Sequence, residues 1–303
     1  MDDRLWEPQN PQKTRMWQFM QSVSQDQGQK FDSYQDLYHW SINNPESFWE
    51  NICLFFNLGF DSQDYEILNK YPQMIDAQWF KGVHFNFAQK LLSRKDNHPA
   101  LISINEHGEK QSLSYKELHH RVAQCIAGLK NLGITSGDRV AALMPNTAQT
   151  IIAMLASSAL GAIWSSCSPD FGAEAALDRL GQLEPKILFC CDGHQYQGKK
   201  HSALDKISIL HETISSLERV VICPNINEVL DISQLPKACY WNEFILPATE
   251  CSFTALPFNH PLYVLFSSGT TGRPKCIMHG AGGTLIQHLK ELGLHSNLGR
   301  EDN

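Results

Sequence analysis

The sequence has no Cys-x-x-Cys pair, although it holds nine cysteines. A zinc ribbon or a dithiol redox site therefore has no support. Nine is odd, and most of these residues sit in apolar runs, as buried free thiols do. A basic excess is also missing: 25 Lys and Arg stand against 32 Asp and Glu, a formal net charge of -7. That argues against a nucleic-acid binder, which concentrates Lys and Arg. A small anionic ligand stays open, because a local site can be positive on an acidic protein. The longest apolar stretch, residues 151–164, contains Ser157 and Ser158 and falls short of the ~20 residues of a membrane span. The N-terminus MDDRLWEPQN carries acidic residues and no apolar core segment. No signal peptide is read there, and a reduced, cytoplasmic setting is expected. Internal repeats and low-complexity segments are absent.

Several catalytic signatures are absent too. No G-x-S-x-G occurs, which leaves a serine hydrolase without its nucleophile. The segment HETIS at His211 lacks the second histidine of H-E-x-x-H, and His119 and His120, being adjacent, cannot face one helix site.

What is present is an ordinary globular composition: 303 residues, 42% hydrophobic and 19% charged, enough for one large domain or two smaller ones. The first hundred residues read as helical and aromatic. Met16, Phe19, Met20 and Val23 recur at helical spacing, with Gly28 as a stop. Asn44 is expected as an N-cap with Pro45 at the first helical position, opening a helix with Phe48, Trp49, Ile52, Phe55 and Phe56 on one face. Residues 79–92 are expected to begin as a loop and become a helix.

From Ala100 the rhythm changes. ALISIN and QSLS predict two strands around a turn at His107-Gly108. Ser114 and Glu117 predict a capping box ahead of a helix carrying Leu118, Val122, Cys125, Ile126 and Leu129, closed by Gly133. DRVAALM, GAIWSSC, KILFCC, RVVIC and LYVLF predict further strands. Helices are expected between them: one capped by Asn146 and ending near Gly161, one over about 174–183, and one through Ile207 and Leu210. This alternation implies right-handed crossovers and a mostly parallel sheet. Residues 224–261 are expected as loop and irregular cover.

Directly after LYVLF stands SSGTTGRPK, from Ser267 to Lys275. Its glycines let backbone approach a ligand, successive N–H groups in such a turn form an anion nest, four hydroxyls add donors, and Lys275 adds positive charge. These are the needs of a polyphosphate. The string is neither a Walker A loop, since Pro274 stands five residues after Gly269 and Cys276 follows Lys275, nor G-x-G-x-x-G.

SSGTTGRPK resembles the signature phosphate loop of the adenylate-forming superfamily of acyl-CoA synthetases, luciferases and peptide-synthetase adenylation domains. The resemblance implies that Ser267, Ser268, Gly269, Thr270, Thr271, Gly272 and Lys275 hold the β- and γ-phosphates of ATP. LYHWSINNPESFWENI (37–52) and WFKGVHFNFAQKLL (79–92) resemble the N-terminal extension of the acetyl-CoA-synthetase branch, with Lys81 and Gln89 standing where Pro and Glu are expected. WSSCSPDFG (164–172) and IMHGAGGTLIQHLKELGLH (277–295) most resemble acetoacetyl-CoA synthetases.

The fold implied is α/β: the N-terminal part of the large domain of an adenylate-forming enzyme, a mostly parallel sheet with flanking helices. The resemblance implies that residues 1–98 are the helical extension and that 99–303 are a truncated AMP-binding domain, with the mobile C-terminal domain expected to be absent. The activity implied is ligation of acetoacetate to coenzyme A through an acyl-adenylate, with ATP, Mg2+ and coenzyme A as substrates and cofactor. Ligation of acetate or propionate is one alternative, and a non-catalytic remnant that binds nucleotide weakly is another. In that branch a basic segment after a strand grips the coenzyme nucleotide. Gly198 and Lys199 match it, but Tyr196 stands where Arg is expected. A solvated surface pair at Lys199 and Lys200 is the competing reading. Phe171, Gly172 and Arg179 are candidates for the same cleft. The resemblance places the adenine motif, the magnesium ligand, the ribose-binding Asp and the catalytic Lys beyond residue 303. The chain is thus expected to be inactive alone and, with a cut sheet edge, poorly soluble.

Overall fold

A computed structural model describes residues 8–60, 65–69, 73–226, 231–267 and 272–302. The chain forms two compact units. One comprises Met1–His84, Pro257–Asn259 and Gly282–Asn303; the other comprises Phe85–Leu256 and His260–Ala281.

The first unit is built from helices and short strands. Helix α1 (Arg15–Gln27) buries Phe19, Met20 and Val23, starts at a Thr14 cap and ends at Gly28. Helix α2 (Tyr34–Asn43) buries only Leu37 and Trp40, too few for its pattern to stand out in the sequence. Helix α3 (Pro45–Phe55) follows at once. Asn44 does not cap it with its side chain. Its Nδ2 donates instead to the Trp40 carbonyl at 3.0 Å and closes α2. One amide between two abutting helices serves one of them, and Pro45 has no N–H that needs a cap. The aromatic stripe of α3 meets α1 edge-on, with Phe55 and Phe48 centroids 5.4 and 6.0 Å from Phe19. Part of the loop expected from residue 79 is extended: β1 (Glu66–Asn69) pairs antiparallel with β2 (Gln78–Lys81), and β3 (His84–Phe85) follows. Strands of two to four residues show no alternation to read.

The second unit starts with α4 (Phe87–Leu91), capped by Asn86, and a hairpin of β4 (Pro99–Ile104) and β5 (Lys110–Ser114). The Ser114–Glu117 capping box opens α5 (Tyr115–Asn131), whose five expected apolar residues are all buried. The chain then alternates through β6 (Arg139–Leu143), α6 (Ala148–Leu160), β7 (Ile163–Cys167), α7 (Ala173–Leu180) and β8 (Ile187–Cys191). A small hairpin, β9 (Gly193–Tyr196) and β10 (Lys199–Ser202), precedes α8 (Leu204–Thr213) and β11 (Arg219–Cys223). Next come β12 (Ala238–Tyr240), α9 (Trp241–Phe244), β13 (Leu256–Pro257), β14 (Pro261–Ser267) and β15 (Lys275–Gly280), and the chain continues in α10 (Ala281–Leu289). The cap of α6 is Thr147, one residue later than Asn146, without a side-chain cap bond. Within 224–261, expected as irregular cover, β12 joins the main sheet, paired by three residues to β11.

The main sheet has the order β12-β11-β8-β6-β7-β14-β15. Every pairing in it is parallel except β14 with β15. Both faces are covered. On β8, Ile187, Phe189 and Cys191 join one core and Leu188 and Cys190 the other; on β6, Val140 and Ala142 oppose Ala141 and Leu143 in the same way. A strand buried on both sides reads as one continuous apolar run, which is why KILFCC was legible. Each buried aliphatic side chain stabilises the fold by roughly 1.5–3 kcal/mol. The order β7-β6-β8-β11-β12 reverses direction at β6, and such a sheet opens a crevice at the carboxyl ends of its strands. No helix among the described residues is long and apolar enough to cross a membrane.

Candidate nucleotide and coenzyme site

The hydroxyl-rich loop joins β14 to β15 at the carboxyl end of the sheet. Ser165 Oγ on β7 donates to the Val264 carbonyl at 2.8 Å and pins β14 to its parallel neighbour. At the foot of the loop Ser267 and Lys275 are register partners. Ser268, Gly269, Thr270 and Thr271 lie outside the described residues. Gly272 has φ +103, a conformation that L side chains rarely adopt. The loop exit is tethered from α7 and the turn after it. Gln182 Nε2 donates to the Pro274 carbonyl at 2.9 Å, and Arg273 Nε lies 3.9 Å from Asp178 Oδ1. Lys275 is exposed.

A second cluster forms where the turn after β7 meets the β9–β10 hairpin. Asp170 accepts from Ser168 Oγ at 2.8 Å and lies 2.6 Å from His194 Nε2. His194 stacks on His201 across the hairpin, with centroids 5.2 Å apart. The Arg179 guanidinium lies 4.4 Å over the Phe171 ring and donates to the Ala175 carbonyl at 2.8 Å. Phe171 and Arg179 are therefore brought together, whereas Gly198 and Lys199 sit at the hairpin tip, with Lys199 exposed. Lys200 is exposed as well, and its Nζ donates to the Ile226 carbonyl at 2.6 Å. Gly193 is required where the hairpin starts, since a Cβ there would stand 2.1 Å from the His201 carbonyl oxygen.

On the other side of the hairpin is a crevice of about 560 Å³. Asn146, Thr147 and Gln149 line it at the ends of β6 and α6, Asn225 lines it after β11, and Glu106 and Glu109 line it from the β4–β5 turn. Glu106 is drawn below the ordinary carboxylate range by the N–H groups of Gly198 and Gln197, which outweigh its slight desolvation.

Gln182, Asp170, His194 and Glu106 are the residues that sequence reasoning missed. Each acts on a partner 24 to 92 residues away; Asp170 lies within WSSCSPDFG, but nothing in that string singles it out. Cys167 and Cys191, at the ends of β7 and β8, are poor nucleophiles: burial pushes Cys167 up to about 11 and Cys191 to about 12. Among the described residues no group of three or more His, Cys, Asp or Glu could hold a metal ion, and no magnesium ligand is assigned to them.

The AMP-binding enzyme family matches residues 88–302, and the acetyl-coenzyme A synthetase N-terminus matches residues 34–90. The acetoacetyl-CoA synthetase of Mus musculus is 38% identical over 98% of this chain and 46% of its own length. The malonamoyl-CoA synthetase of Penicillium aethiopicum is 38% identical over 98% of this chain and 43% of its own. The solved structure of acetoacetyl-CoA synthetase from Streptomyces lividans superposes with a TM-score of 0.91 at 36% identity, covering 98% of this chain and 46% of that one. The chain spans about half the length of the relatives it matches. With the family model covering well over half its residues, the chain belongs to the AMP-binding enzymes and carries the N-terminal segment of the acetyl-CoA-synthetase branch.

Proposed function

We propose that this chain supplies the nucleotide-phosphate end of an acid–thiol ligase that joins acetoacetate to coenzyme A. A carboxylate oxygen of acetoacetate attacks the α-phosphorus of ATP, and the bond to the bridging oxygen breaks, giving acetoacetyl-adenylate and diphosphate. The coenzyme thiol then attacks the acyl carbon, loses its proton, and expels AMP. No enzyme nucleophile is needed, so catalysis is positioning and charge stabilisation. On this reading Ser267, Ser268, Gly269, Thr270, Thr271, Gly272 and Lys275 hold the β- and γ-phosphates of MgATP. Lys199 and Arg179 face the coenzyme, with Gly198 forming the turn that presents Lys199.

The observation that carries the proposal is the strand–loop–strand geometry at the carboxyl end of β14, with Lys275 exposed at its foot opposite Ser267. The test is a titration of the chain with MgATP, followed by an assay for acetoacetate-dependent formation of AMP and diphosphate. Binding that tripolyphosphate displaces supports the loop assignment; no MgATP binding overturns it.

A second acyl group has a specific observation behind it. The malonamoyl-CoA synthetase is as similar to this chain as the acetoacetyl enzymes are. Short acids with a carbonyl at C3 therefore form the substrate class to test. Acetoacetate, malonamate, acetate and propionate, compared as substrates of a full-length ligase that contains this segment, rank them.

A further inference from the structure

The β9–β10 hairpin should be a loose structure. It has four residues a side, every residue of β10 is exposed, and an isolated two-stranded hairpin is marginal in water. Its base is tied down by His194 to Asp170, by Lys200 to the Ile226 carbonyl, and by Asn225 Nδ2 to the Gly193 carbonyl at 2.9 Å. Its tip is held differently. Gln197 and Gly198 have φ of +50 and +74, which turns two successive N–H groups the same way and makes an anion nest. That nest is already filled. Glu106 Oε1 accepts from Gln197 N–H at 2.8 Å, and Oε2 accepts from Gly198 N–H at 3.0 Å. The glutamate is itself presented by a turn built around Asn105, whose Oδ1 accepts from the N–H groups of His107 and Glu109, both at 3.0 Å. Gln195 Nε2 and His107 Nε2, 2.9 Å apart, add a second tie between the same two turns.

We propose that Glu106 is a positioning residue for the coenzyme: its carboxylate clamps the hairpin tip so that Lys199 stands ready for a coenzyme A phosphate. This rests on the reading of Lys199 given above. Because the nest is occupied by a side chain of the protein, the N–H groups of Gln197 and Gly198 are not the coenzyme's donors. Lys199, the neighbouring exposed cation, is the group left to meet a phosphate.

The experiment uses the 303-residue chain and its variants Glu106→Ala, Glu106→Gln, Lys199→Ala and the double variant Glu106→Ala/Lys199→Ala. Two readouts are taken: amide hydrogen exchange at Gln197 and Gly198, and calorimetric titration with coenzyme A, with MgATP as control. Loss of charge-assisted hydrogen bonds in E106A is expected to speed exchange at both amides about tenfold or more and to weaken coenzyme A about fivefold or more. MgATP affinity should not move. E106Q, which keeps one acceptor oxygen, should recover part of both losses. If Glu106 acts through Lys199, the double variant binds coenzyme A no worse than K199A alone. Unchanged exchange in E106A, or losses from E106A and K199A that simply add, overturns the proposal. A wild-type chain that binds no coenzyme A overturns its coenzyme part and the reading of Lys199 together, while the exchange data still decide whether Glu106 clamps the tip.

Discussion

Ser267 and Lys275 are register partners across the antiparallel β14–β15 pair. The hydroxyl-rich loop is thus closed at its base by a ladder rung, with Lys275 directly across from the first residue of the motif. Lys275 is exposed, so its replacement tests ligand contact with little effect on the fold. Lys275→Ala is expected to weaken MgATP by about tenfold or more, the scale of a lost charge-assisted hydrogen bond, and to leave stability within about 0.5 kcal/mol. Calorimetric titration and thermal melts of the same preparations check both halves.

Cys276 follows Lys275 and is exposed, whereas the other eight cysteines are buried or half-buried. A thiol-alkylating reagent should therefore label Cys276 first, with the remaining thiols reacting only on unfolding. If the loop holds the phosphates of ATP, bound MgATP shields the neighbouring residue and slows that labelling. Peptide mapping after limited alkylation, with and without MgATP, gives the site and the rate. Equal rates at saturating MgATP would contradict the loop assignment.

The elements legible in the sequence were those that bury a full face. KILFCC, DRVAALM and the stripe through Leu118, Val122, Cys125, Ile126 and Leu129 have enough apolar residues for their period to be read, and the Ser114–Glu117 box marks its own helix start. The elements that escaped are short or exposed. β9 and β10 have four residues each, and β10 buries none; β12 has three. At the site the same division holds. The phosphate loop announces itself because its chemistry is local, in nine consecutive residues. Gln182 on Pro274 and Glu106 on Gly198 are contacts made by the fold across 92 residues each, and no composition or spacing encodes them.

β15 ends the main sheet, paired only to β14 in the described order, and it exposes Ile277 and Met278 at 47% and 61%. An exposed edge strand with apolar side chains is a template for pairing with another chain. The purified chain is expected to self-associate as its concentration rises. A charge on the exposed face opposes such pairing, so Met278→Lys should shift the association midpoint to higher concentration without changing the melting temperature appreciably. Sedimentation velocity over a concentration series measures this, and identical profiles for the two proteins would remove the edge as the cause.

The opposite end of the sheet carries an ion pair that should set part of the acid stability. Asp138 precedes β6 and Lys186 precedes β8, and their Oδ1 and Nζ atoms are 2.8 Å apart. Asp138 is nearly buried, and its Oδ2 accepts from the Thr135 N–H at 2.8 Å and its hydroxyl at 3.1 Å. Burial alone would raise the carboxyl, but the Lys186 ammonium and the two Thr135 donors together hold it below the ordinary range. A carboxylate depressed in the folded state contributes stability that is complete above its unfolded value and is lost as pH falls through the folded value. Asp138→Asn is therefore expected to cost about 1–2 kcal/mol near neutrality, after discounting for the part-exposed lysine. The gap between the two proteins should close as the pH falls below about 4, the unperturbed aspartate value. Urea melts at several pH values test this. A gap that stays constant down to that range would mean that the Asp138 charge is not what holds β6 to β8.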